Sequence, residues 1–73
     1  GTRWVLVTDG VTDQLGGHGP SPVAYGYKRL KNSIEQSRAF TTEETTRHIT
    51  ESVKQWQGTE LRRDDLTVMV FDV

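Results

Sequence analysis

The chain has 73 residues, no cysteine, and 9 basic against 10 acidic side chains for a net charge of −1. The lack of cysteine excludes disulfides, thiolate metal sites and cysteine nucleophiles, and the balanced charge lacks the basic excess of a nucleic-acid binder. Only 33% of the residues are hydrophobic, so the core is thin for so short a chain, and no apolar run reaches the roughly 20 residues of a membrane span.

Arg3-Trp4-Val5-Leu6-Val7-Thr8 is short and rich in β-formers, and Asp9-Gly10 behind it is a turn signal, which predicts a strand over 3–8. Gly10, Gly16, Gly17, Gly19, Pro20 and Pro22 then make 10–22 a flexible Gly/Pro-rich loop. Tyr27, Leu30 and Ile34 fall on one helical face, with Lys28, Arg29, Lys31 and Glu35 on the solvated ones, predicting a helix over about 25–37. Thr41-Thr42-Glu43-Glu44 has the spacing of a capping box, Ile49, Val53 and Trp56 continue a helical stripe, and Gly58 is a terminator. A second helix is expected over about 42–57. Leu66 to Val73 is apolar on both faces, as in a strand covered on both sides, and predicts a strand over about 66–72. Trp4 and Trp56 are expected in the core.

The resulting order is β-α-α-β, an α/β chain forming a single partial domain over 1–73. Two strands do not make an independently stable sheet. The missing ones are expected from an N-terminal half, from a second copy of the chain or from a partner.

The aspartates carry the chemistry. Asp9 and Asp13 follow the first strand, and Asp64 and Asp65 precede the last. Singly, each reads as turn chemistry or a solvated strand approach. If the two strands are antiparallel neighbours, the end of the first lies beside the start of the second, and Asp9 and Asp64 meet at one sheet edge. Bare carboxylates so placed repel unless a cation separates them, and an oxygen-only donor set selects Mg²⁺ or Mn²⁺. Gly16-Gly17-His18-Gly19-Pro20 lacks the spacing of a phosphate loop and reads as a flap. His18 and His48 fit no metal or catalytic pattern.

Val7-Thr8-Asp9-Gly10-Val11-Thr12-Asp13 and Arg63-Asp64-Asp65-Leu66-Thr67-Val68 resemble the last two motifs of the metal-dependent (type 2C) serine/threonine protein phosphatases. The bacterial SpoIIE-like branch is the nearer match, and Tyr25-Gly26-Tyr27 with Arg29-Leu30 is similar to its entry into the first helix. The resemblance spans all 73 residues but only the C-terminal third or so of such a phosphatase. It implies an α+β sandwich in which this segment supplies two strands and two helices. It further implies Asp9 and Asp64 as ligands of one ion in a two-ion Mn²⁺ or Mg²⁺ site, with Gly10, Asp13, Asp65 and Thr67 either just outside the ligand shell or structuring the loops, and Asp13 either ordering metal-bound water or only capping the turn. The implied substrate is a phosphoserine or phosphothreonine protein, in a cytoplasmic partner-switching cascade that controls a sigma factor. The remaining metal ligands of the family belong to the N-terminal half, so the 73 residues alone are expected to be inactive. The alternative is a non-catalytic folding or interaction module that keeps the shape without the chemistry.

Overall fold

The computed structural model describes residues 1–61 and 65–73. In chain order the elements are β1 (Arg3–Val7), α1 (Asp9–Thr12), β2 (Leu15–Gly16), β3 (Val23–Ala24), α2 (Gly26–Gln36), α3 (Thr42–Gln57) and β4 (Val68–Asp72).

β1 and β4 pair antiparallel, in a register running from Arg3 opposite Asp72 to Val7 opposite Val68. This is the pairing expected from the sequence. Alternation gives the sheet two unlike faces. Val5, Val7, Val68 and Val70 turn toward the helices and pack on the core. Trp4, Leu6, Met69 and Phe71 form the other face, which is exposed among the described residues. Trp4, expected inside, is 52% exposed and stacks on Phe71 with ring centroids 6.5 Å apart. The outward face is thus apolar, and none of the described residues forms a layer over it.

α3 lies against β4, and α2 packs on α3. The α3 stripe of Thr45, Ile49 and Val53 is fully buried. Its N-terminus closes as a capping box: the Glu44 amide donates to Thr41 Oγ1 at 3.1 Å, and the Thr41 amide to Glu44 Oε1 at 3.0 Å. Gly58 ends the helix with φ +55°, a conformation that favours glycine. A guanidinium latch joins the sheet to this helix. Arg3 Nε and Nη2 donate to the Asp72 carboxylate at 2.7 and 3.1 Å, while Nη1 donates to Thr45 Oγ1 at 2.9 Å.

The inward face of α2 differs from expectation at its first turn. Leu30 and Ser33 are buried and Ile34 packs on the core, but Tyr27 is 72% exposed. Tyr25, one residue before the helix, fills that end of the core instead, edge-on to Trp56 at 6.4 Å. Its hydroxyl meets Ser33 Oγ at 2.8 Å and Ser52 Oγ at 2.7 Å, so the buried oxygen is satisfied between the two helices. Arg29 is exposed, as expected of a solvated face, yet its guanidinium carbon sits 3.8 Å from the Trp56 ring centroid and Nη1 donates to the Tyr25 carbonyl at 3.1 Å. His48 is a boundary residue, in contact with Gln36 Oε1 and the Phe40 ring.

Residues 10–22, expected as one loop, contain most of α1 and all of β2. Val11 sits in the core, and Gly10, Thr12, Gln14 and Gly16 are buried with it. β2 pairs with β3, and the resulting hairpin docks on the C-terminal turn of α3, where the Gly17 amide donates to the Trp56 carbonyl at 2.9 Å. A Cβ on Gly16 would overlap that carbonyl. The glycine therefore serves close approach of two backbones.

Candidate metal centre

The site is built on one end of the β1–β4 ladder. β1 stops where α1 begins, with Thr8 in extended conformation as N-cap and Asp9 as the first helical residue. The Asp13 amide closes the single turn on the Asp9 carbonyl at 2.8 Å. Asp9 and Asp13 are exposed at the two ends of that turn, and Gly10 is buried within it.

Across from Thr8, the ladder continues one residue beyond β4, with the Thr8 amide donating to the Thr67 carbonyl at 3.1 Å. The Thr8 hydroxyl adds two bonds. It donates to the Asp65 carbonyl at 2.9 Å and accepts from the Thr67 amide at 3.1 Å. The approach to β4 is thereby tied to the residue that precedes Asp9. Thr67 enters the site through its backbone. Asp65 is exposed at the same end of the sheet, and Leu66 packs on the core. Asp64, the second expected ligand, lies outside the described residues.

A further tie comes from Gln14, which is 1% exposed. Its Nε2 donates to the Leu61 carbonyl at 3.1 Å and to the Leu15 carbonyl at 3.0 Å. The stretch 8–14 thus grips the chain at positions 61, 65 and 67. Neither Thr8 nor Gln14 stood out in the sequence reading. A hydroxyl at the last strand position before Asp-Gly is a usable signal for Thr8; Gln14, polar in a glycine-rich stretch, gives none.

The donors fit a hard cation in kind and fall short in number. The carboxylates described at this edge offer oxygen alone, which suits Mg²⁺ or Mn²⁺. Among the described residues, however, no three His, Asp or Glu side chains gather as a metal-binding group. A cleft of about 330 Å³ between α2 and α3 is lined by Arg29, Gln55 and Trp56 among others, and by none of the aspartates. His18 lines that cleft too, away from the expected ligands. Among the described residues no helix is long and apolar enough to cross a membrane.

The sequence profile of the stage II sporulation protein E (SpoIIE) family matches residues 1–73. No curated protein matches. Among solved structures, the SiaA-PP2C domain of Pseudomonas aeruginosa superposes with a TM-score of 0.85 at 25% sequence identity, over 97% of this chain. The chain spans 28% of the length of that structure.

Proposed function

Since the chain belongs to the SpoIIE family, we propose that residues 1–73 supply Asp9 and Asp64 to the metal centre of a metal-dependent phosphoserine/phosphothreonine protein phosphatase. The observation that carries this reading is the β1–β4 register, extended by Thr8, which sets the residue before Asp9 alongside Asp65 and Thr67.

Asp9 and Asp64 would hold Mn²⁺ or Mg²⁺, which when bound would supply an activated water for in-line attack on phosphorus. The chain's own residues do the holding. Asp9 and Asp64 would be charged ligands of one ion. Gly10 is buried directly after Asp9, and Asp13 closes the turn on the Asp9 carbonyl through its amide. Asp65 and Thr67 fix the entry into β4 through their backbones. With part of one coordination shell, residues 1–73 bind a divalent ion weakly and do not turn over substrate. The exposed sheet face fits a missing layer: the N-terminal half of the domain, or a second copy of this chain. In the whole protein the substrate is a phosphoprotein, and the setting is a cytoplasmic partner-switching cascade that regulates a sigma factor.

The test is hydrolysis of a phosphoserine peptide by the full-length protein in millimolar Mn²⁺. Asp9→Asn and Asp64→Asn should each lower kcat by at least about 100-fold, as expected when a charged ligand is lost, with Asp65→Asn milder. Unchanged turnover in both ligand variants would leave the alternative, a non-catalytic module that keeps the fold.

A further inference from the structure

We propose that Thr8 and Gln14 are positioning residues for this centre, clamping the approach to β4 at Leu61, Asp65 and Thr67 onto the stretch that carries Asp9; the proposal rests on the metal reading above. The clamp has two jaws. The Thr8 hydroxyl donates to the Asp65 carbonyl at 2.9 Å and accepts from the Thr67 amide at 3.1 Å, using both its donor and an acceptor lone pair. The Gln14 carboxamide donates to the Leu61 carbonyl at 3.1 Å.

Positions 61 and 65 flank Asp64 in the sequence, and both are tied to 8–14. Between the jaws, α1 is held by the bond from the Asp13 amide to the Asp9 carbonyl and by Val11 in the core. The stretch that carries Asp9 therefore shares one frame with Leu61, Asp65 and Thr67. Mg²⁺ demands near-ideal octahedral geometry, so a frame that fixes ligand spacing raises affinity without touching the ion.

Thr8 is the better probe because it is exposed and valine matches its shape. The full-length protein, stripped of metal, is titrated with Mn²⁺ by calorimetry, and amide exchange at Thr67 is followed alongside. Thr8→Val should weaken Mn²⁺ binding by about 10-fold or more and speed Thr67 exchange. Thr8→Ser keeps the hydroxyl and should stay within about 3-fold of the parent. Gln14→Met should weaken Mn²⁺ in the same direction.

Parent-like affinity in Thr8→Val overturns the proposal. So does a serine variant as impaired as the valine one, even if the valine variant folds poorly. Asp9→Asn separates the two readings. If it abolishes binding while Thr8→Val does not, the clamp fails and the metal centre stands; if it binds Mn²⁺ as the parent does, the metal reading fails and takes the clamp with it.

Discussion

The amide of Gly17 donates to the carbonyl of Trp56 at 2.9 Å, and the neighbouring Gly16 leaves no room for a side chain against that carbonyl. This contact pins the glycine-rich stretch to the end of α3. Gly16→Ala forces the hairpin off the helix and should destabilise the fold by about 1–3 kcal/mol, the range for overpacking. Gly19→Ala meets nothing closer than 3.9 Å and should be near neutral. Urea unfolding of the two variants beside the parent checks both. Equal stabilities would mean the hairpin does not sit on Trp56.

The same contact explains what was legible in the sequence. Local rules sufficed where local geometry decides: the Thr41–Glu44 box, the Gly58 stop, the two long helices and the two apolar strands. They failed where a distant partner decides. Nothing periodic marks 10–22, yet Val11 and Gly16 are buried because Leu30 and Trp56 lie elsewhere in the chain to receive them. Tyr25 took the core position assigned to Tyr27 because it precedes the helix and reaches back to Ser33 and Ser52. Trp4 followed strand alternation outward, where size and apolarity suggested inward. At the site, the aspartates were visible as motifs, whereas the groups that hold their loops act on backbone atoms 47 to 59 positions away and leave no local pattern.

Acid should loosen two latches together. Hydrogen bonds from Arg3 hold the Asp72 carboxyl below its ordinary pKa, and those from Thr41 do the same for Glu44. A depressed folded pKa contributes stability above the unfolded value and loses it as pH falls through the folded one. The thermal midpoint should therefore drop as pH falls below about 4. Asp72→Asn should flatten part of that slope, since it removes one titrating group. An unchanged slope in Asp72→Asn would show that the Arg3 latch does not form.

The uncovered sheet face should govern association. Leu6 is 51% and Met69 55% exposed, beside Trp4 and Phe71 on the same face. A two-stranded sheet with such a face is marginal alone. The isolated 73-residue chain should self-associate or remain partly molten, and Leu6→Lys with Met69→Lys should reduce association in sedimentation. A cooperative monomer at all concentrations would count against this.

Thr41→Ala tests the helix start separately. It removes the acceptor for the Glu44 amide and should cost about 1 kcal/mol, read as an earlier urea midpoint with an unchanged slope. No shift in the midpoint would mean that Glu44 alone holds this end of α3.

The most direct measurement is anomalous scattering from crystals of the full-length protein grown with Mn²⁺. The account predicts one manganese peak bonded to carboxylate oxygens of both Asp9 and Asp64, at the end of the β1–β4 ladder beside Thr8. Manganese bound with neither carboxylate in its shell would contradict it.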